Sequence, residues 1–111
     1  MSYPPIQELN LLHANICQAL ADPKRIQILY ALDEQPRNVS VLADALEMPQ
    51  PTVSRHLRVL RQQSLVLTER DGPAVFYYLA DRRIIEVLDT MRAVMFEALA
   101  RKTDLAEANG F

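Results

Sequence analysis

The sequence contains few of the residues on which small disulfide-rich or disordered proteins depend. Only one of its 111 residues is a cysteine, Cys17, so an internal disulfide framework is excluded. It has two glycines, and 50% of its residues are hydrophobic, which does not fit a low-complexity or disordered chain. The length is close to that of a chain with one hydrophobic core, and we expect a single domain over residues 1–111.

Long apolar runs are missing as well. No stretch approaches the roughly 18 consecutive apolar residues that a membrane-spanning helix needs. The N-terminus, MSYPPIQELN, has no basic segment followed by an apolar one, so it does not resemble a signal peptide. Together these features predict a cytoplasmic protein that is not associated with a membrane.

Charge is distributed unevenly along the chain. The net formal charge is −2, yet residues 50–83 carry six basic and three acidic side chains, whereas the segments on either side are acidic. A basic middle within an acidic chain indicates a local binding surface for a polyanion. The alternative is an ordinary solvated face that happens to contain arginines.

Apolar residues at helical spacing predict four helices in the first half of the chain. The first covers residues 6–20. The second begins after Asp22, which can cap it, with Pro23 at its first position. Asn38 or Ser40 opens a short third helix, and the fourth runs from about Gln50 to Gln63.

The pattern changes after the fourth helix. Residues 65–70 and 75–79 are predicted strands, separated by the turn sequence Asp71-Gly72-Pro73-Ala74. A last helix is expected over 81–102, followed by a flexible tail at 103–111. The chain is thus mainly α with one small hairpin, in the order α-α-α-α-β-β-α, which describes a winged helix-turn-helix.

In that fold the fourth helix enters the major groove of DNA. Its apolar side, with Val53, Leu57 and Leu60, is expected to face the core. Residues in its first turn would reach base edges, and later cations would contact phosphates. His56 could touch a phosphate or be buried where the helix meets the hairpin. The predicted DNA-contacting residues are Gln50, Thr52, Ser54, Arg55, His56, Arg58, Arg61 and Arg70.

The last helix carries an apolar seam of the coiled-coil kind. The spacing is four, three, four and three, and the predicted interface residues are Ile84, Leu88, Met91, Met95 and Ala98. With the apolar face of the first helix, it predicts a homodimer with a two-fold interface. The alternative is that both faces are buried within one subunit.

Three stretches, ADPKRIQIL, VLADALEMPQPTVSRHLRVLRQQSLV and RDGPAVFYYL, resemble the ArsR/SmtB family of bacterial winged-helix repressors. The resemblance covers about residues 12–99. It implies a homodimeric repressor that binds an inverted repeat in double-stranded operator DNA and is released by an inducer, either a small molecule or a metal.

The chain departs from the family's metal-binding patterns. The C-x-C element of its arsenic and cadmium sensors corresponds here to Asn38-Val39-Ser40-Val41, which has no thiol. In the zinc pattern D-x-H-x10-H-x2-E, Asp81 and Glu97 match, but Arg83 and Val94 stand at the histidine positions and cannot bind zinc. The resemblance therefore implies neither usual metal site.

The wing differs too. The wing glycine is followed by Pro73-Ala74 instead of the basic residue of many relatives, and Ser64 replaces a glycine often found after the fourth helix. Arg70 is then the main cation of the wing.

Two other functions remain open. His13 and Cys17 lie four residues apart on the first helix, which suits a metal or thiol sensor, although we expect Cys17 to be a small buried side chain. A winged-helix module can also bind proteins instead of DNA. An enzyme is not expected, because the sequence has no Gly-rich phosphate loop, activated nucleophile or evident carboxylate pair, and no cofactor is implied.

Overall fold

A computed structural model describes residues 2–108. It confirms the predicted order of elements and the winged helix-turn-helix fold. The elements are α1 (Ile6–Leu12), continued by a π-helical turn (His13–Cys17), α2 (Pro23–Glu34), α3 (Val39–Leu46), α4 (Gln50–Gln62), β1 (Val66–Asp71), β2 (Ala74–Leu79) and α5 (Arg83–Ala108). Within residues 2–108, no helix has the length and hydropathy that crossing a bilayer requires.

The chain divides into two compact units, residues 2–81 and residues 82–108. The first contains α1 to α4 and the hairpin, and the second contains α5.

Side chains at the predicted positions cap two helices of the first unit. The Asp22 carboxylate accepts a hydrogen bond from the backbone N–H of Lys24 at 2.8 Å, with Pro23 at the first helical position. This bond lowers the pKa of Asp22 below its ordinary 3.8. Asn38 caps α3 by accepting from the N–H of Val41 at 2.8 Å. Of the two candidates for that cap, Asn38 is therefore the one used.

Helices α3 and α4 both end in a left-handed residue that is not glycine. Glu47 has φ 54° and Ser64 has φ 59°. After α4, the N–H of Leu65 donates to the carbonyl of Leu60 and that of Ser64 to Arg61, each at 3.0 Å, which is the bond pattern of a Schellman motif. Helix α4 thus ends sharply although it lacks the glycine that favours this conformation.

The hairpin is antiparallel, with Val66 opposite Leu79 and Asp71 opposite Ala74. Its two-residue turn begins at Gly72, whose φ of 62° explains the glycine there. A further pairing was not predicted. Arg37, between α2 and α3, exchanges two backbone hydrogen bonds with Tyr77 at 3.0 and 2.8 Å. This bridge fixes the hairpin to the segment that leads into α3.

The core of the first unit lies between α2, α3, α4 and the hairpin. Its fully buried side chains come from each of these elements and include Ile28, Leu29, Leu42, Val53, Leu57, Leu60 and Val66. Helix α1 contributes no buried residue. The helix-turn-helix is therefore held by apolar packing on the side away from solvent, whereas α1 is not.

The second unit departs from the sequence prediction in two ways. Helix α5 continues to Ala108, past the predicted end at Lys102, so residues 103–108 are helical; residues 109–111 lie outside the described part. Two predicted interface residues, Ile84 and Leu88, are buried in the single chain. Their side chains are covered in the single chain, and which residues form a dimer interface stays a prediction.

Candidate nucleic-acid interface

Helix α4 is divided into a buried and a solvent-exposed side. Val53, Leu57 and Leu60 are buried, as their spacing predicted. Four of the predicted DNA-contacting residues on this helix are exposed: Gln50, Arg55, Arg58 and Arg61. Two more are half-buried: Thr52 and Ser54. The three exposed arginines carry no acidic partner at salt-bridge distance in the ion pairs found among residues 2–108. Their charge is available to an anion in solution.

His56 is the exception, and its assignment as a DNA contact is revised. Its side chain is 6% exposed, and Nδ1 lies 3.4 Å from Nη1 of Arg25 on α2. Burial lowers the pKa of His56 below its ordinary 6.5, against the opposing effect of the Asp22 carboxylate. The ring is therefore neutral at pH 7 and faces the protein interior.

Helical spacing contained the information that distinguishes His56 from its cationic neighbours. It follows Val53 by three residues and precedes Leu60 by four, so it lies beside the apolar stripe. Arg55 and Arg58 lie on the opposite side of the same helix. His56 was included among the DNA contacts because of its residue type, although its position on the helix places it in the core.

Gln50, at the start of α4, has a neighbour that was not predicted from the sequence. Its Nε2 donates a hydrogen bond to Oγ of Ser40 on α3 at 3.1 Å. A glutamine amide has two N–H donors and one carbonyl acceptor, so one donor and the acceptor are left for a base edge. Ser40 reduces the rotational freedom of a side chain that can pair with adenine.

A small cleft lies beside α4 and β2. Its volume is about 200 Å³, and its lining comprises Ser54, Leu57, Arg58, Arg61 and Tyr77. Two arginines and a serine of α4 thus share one cleft with the half-buried Tyr77 of β2. Such a set of donors suits an anionic oxygen. Tyr77 was not predicted because its place beside α4 depends on contacts distant in sequence.

Acidic side chains lie where α3 ends and α4 begins. Asp44 and Glu47, both exposed, line a wide depression of about 720 Å³ together with Ser40, Met48 and Gln50. On the wing, Arg70 is exposed and lies between Glu69 and Asp71 in sequence. Positive charge is thus concentrated on α4 itself, and the wing adds little.

Cys17 and His13 are both exposed, on the π-helical turn. Cys17 is exposed in the single chain, so the expectation that it is buried was wrong. Among residues 2–108 no three His, Cys, Asp or Glu side chains are grouped closely enough to hold a metal ion.

Comparison with known proteins agrees with this geometry. The model of the arsR family of bacterial regulatory proteins matches residues 22–68, from the cap of α2 into β1. The HTH-type transcriptional repressor SmtB of Mycobacterium tuberculosis is 41% identical over 85 residues, covering 77% of this chain. The match covers 63% of SmtB, so this chain spans about three fifths of that relative's length.

Solved structures show the same fold. The crystal structure of Rv0081 from M. tuberculosis has a TM-score of 0.75 and 32% identity, covering 91% of this chain and 99% of that one. The homodimeric winged helix-turn-helix DNA-binding domain of Mb0332 from Mycobacterium bovis, solved in solution, has a TM-score of 0.73 and 29% identity, covering 91% and 95%. SmtB is named as a transcriptional repressor and Mb0332 as a possible ArsR-family transcriptional regulator, and neither name is that of an enzyme. The chain belongs to the ArsR/SmtB family of winged helix-turn-helix transcriptional regulators, as its sequence predicted.

Proposed function

We propose that this regulator is a homodimeric repressor that binds an inverted repeat in operator DNA through α4. The observation that carries the proposal is the division of that helix. Its apolar side is fully buried, and its other side presents Arg55, Arg58 and Arg61 to solvent in a chain of net negative charge. A rigidly held cationic helix suits insertion into the major groove.

Residues on α4 divide into two kinds by position. Gln50, Thr52 and Arg55 lie near its N-terminus, where side chains reach base edges; arginine pairs with guanine and glutamine with adenine. Ser54, Arg58 and Arg61 line the cleft beside Tyr77 and are assigned to phosphates, together with Arg70 on β1. His56 is left out of the set because it is buried.

The dimer is proposed from apolar surface left uncovered in the single chain. Exposed large side chains on α1 include Ile6, Leu11 and Leu12; those on α5 include Val87, Met91, Val94, Met95, Phe96 and Leu99. Exposed apolar side chains in this number mark an interaction surface on each of the two helices. Met91, Met95 and the half-buried Ala98 remain in the predicted interface, and Val87 and Val94 join them.

Release from DNA is assigned to a signal other than the two usual metal sites, because Asn38-Val39-Ser40-Val41, Arg83 and Val94 stand where their ligands would be. A metal or thiol signal at His13 and Cys17 is the second candidate, favoured by their exposure on one turn. A metal titration of wild type and Cys17→Ala separates the two. Stoichiometric binding that Cys17→Ala abolishes would favour the second candidate.

The proposal is tested with the DNA upstream of the protein's own gene. Wild type should bind this fragment more tightly than a scrambled duplex of equal length. Arg55→Ala should lower the preference for the native fragment by about 10- to 100-fold, the usual contribution of a bidentate arginine–guanine pair. Arg101→Ala, which removes an exposed arginine from α5, is the matched control and should change nothing. Equal binding of both duplexes by wild type would contradict operator recognition, and no binding at low salt would favour a protein-interaction module.

A further inference from the structure

A single side chain, that of Arg25, connects the end of the first helix to α4. Arg25, in the first turn of α2, donates from Nε to the carbonyl of Ala19 at 2.7 Å and from Nη2 to the carbonyl of Gln18 at 3.0 Å. Its third nitrogen, Nη1, lies 3.4 Å from Nδ1 of His56 on α4. The Arg25 side chain is only 16% exposed, so these contacts are largely shielded from water.

The two carbonyl bonds fix the guanidinium to the first helical segment, residues 6–19. The last carbonyls of a helix have no partner within it, and a cation there is also favoured by the helix dipole. The planar guanidinium presents several donors in a fixed arrangement, which a lysine ammonium cannot reproduce. The position of Arg25 therefore depends on where the first helical segment ends.

The third contact fixes α4 to the same guanidinium group of Arg25. Because Nη1 of arginine can only donate, Nδ1 of His56 accepts, and the proton of the neutral ring is on Nε2. Protonation of the ring would place a second cation beside Arg25. The charged groups that act on this ring are Asp22, Lys24 and Arg25 from the start of α2 and Arg55 from α4 itself.

We infer that Arg25 is a positioning residue for DNA recognition, which holds α4 through His56 in register with the end of the first helical segment. The inference rests on the proposed function and extends it. His56 is adjacent to Arg55 and two residues before Arg58, so the contact at its ring determines how these arginines are presented. A displacement of the first helical segment then changes DNA affinity without touching DNA.

The inference is tested by a double-mutant cycle on the full chain, with binding to the upstream DNA fragment measured across salt concentrations. Arg25→Gln and His56→Leu should each weaken binding by about tenfold, a typical coupling between linked elements. The double variant should weaken binding by about the same tenfold, and not by the hundredfold expected of independent residues. His56→Asn, whose Oδ1 can take the place of Nδ1, should restore affinity to within about threefold of wild type.

Two controls separate positioning from direct binding to DNA. The salt slope of Arg25→Gln should equal that of wild type, because removing a cation that neutralises a phosphate would lower the slope by about 0.9 for each phosphate, or about 1.8 for a dimer. Lys24→Gln, which removes the neighbouring exposed cation, should keep wild-type affinity. If Arg25→Gln does not fold, Arg25→Lys keeps the charge without the bridging fork and should weaken binding as much.

The interaction between the two side chains has an independent readout. Removal of the Arg25 cation should raise the pKa of His56, followed by NMR of the imidazole ring, because that cation lowers it. An unchanged titration, an additive double variant, a reduced salt slope or full affinity in Arg25→Lys would each overturn the inference. These outcomes differ from failure of the proposed function, in which wild type itself binds no DNA at low salt.

Discussion

The apolar residues of the two amphipathic helices α4 and α5 differ in how completely they are buried. On α4 the apolar residues Val53, Leu57 and Leu60 are all buried within the chain, and the exposed side is polar and cationic. On α5 only Ile84, Ile85 and Leu88 are buried, whereas Met91, Val94 and Phe96 are about half exposed. The single chain is therefore sufficient to bury the apolar side of α4, whereas it leaves most of the apolar side chains of α5 exposed.

The largest effect is expected in the free energy of unfolding, when a buried residue of α4 is compared with an exposed residue of α1. Leu57→Ala removes a side chain that is 1% exposed and should lower the free energy of unfolding by about 2–5 kcal/mol. Leu11→Ala on α1, 64% exposed, should change it by less than about 0.5 kcal/mol where the chain is monomeric. Urea denaturation of both variants at low protein concentration measures this. Equal decreases would mean that the first helix is as well packed as α4.

A charge introduced on the exposed side of α5 should weaken the association of two chains. Met91→Glu places a carboxylate in the proposed interface, and the dimer should dissociate about 100-fold more readily, since an unpaired buried charge costs several kcal/mol. Sedimentation at several concentrations measures this shift. Lys102→Glu, near the end of the helix, is the control and should remain dimeric. A dimer unaffected by Met91→Glu would place the interface elsewhere.

The pH dependence of stability tests the burial of His56 on α4. Because the pKa of His56 is lowered from 6.5, the unfolded chain takes up the proton first as pH falls. This group should therefore reduce the free energy of unfolding as pH drops below about 6.5, and the reduction should be complete below its folded pKa. His56→Leu should remove that part of the pH dependence. An identical profile for wild type and His56→Leu would contradict the neutral, buried ring.

A smaller effect is expected at the end of α4. Ser64 adopts φ 59°, which costs a residue with a Cβ more than it costs glycine. Ser64→Gly should raise the free energy of unfolding by about 0.5–1 kcal/mol, because relief of that strain exceeds the greater freedom of glycine in the unfolded chain. Thermal denaturation detects the change. Ser64→Ala, which keeps the Cβ, should bring no gain, and a gain equal to that of Ser64→Gly would refute the strain.

Periodicity was enough to predict the fold and the exposed face of α4. Apolar spacing located the helices, and turn residues such as Gly72 located the hairpin, because both depend on local chain geometry. Pairings between distant residues left no local pattern, so the bridge from Arg37 to Tyr77 and the contact from Arg25 to His56 were not predicted. The π-helical turn also had no sequence pattern that would have indicated it.

The apolar residues of α1 and α5 show a different limit. A stripe at helical spacing indicates that a face will be covered but not by what. Ile84 and Leu88 were assigned to a dimer seam and are covered within the chain, whereas Cys17 was expected to be buried and is exposed. Spacing alone does not distinguish a core from an interface.

If the exposed cations of α4 bind DNA, the affinity for DNA must depend on salt concentration through these side chains. For wild type, Arg58→Ala and Arg101→Ala, the logarithm of the affinity is measured against the logarithm of salt concentration. The slope for Arg58→Ala should be smaller than that of wild type by about 0.9 for each phosphate that Arg58 neutralises, or about 1.8 for a dimer, with Arg101→Ala unchanged. Equal slopes for all three would show that Arg58 on α4 does not bind the phosphates, and would contradict DNA binding through the exposed side of this helix.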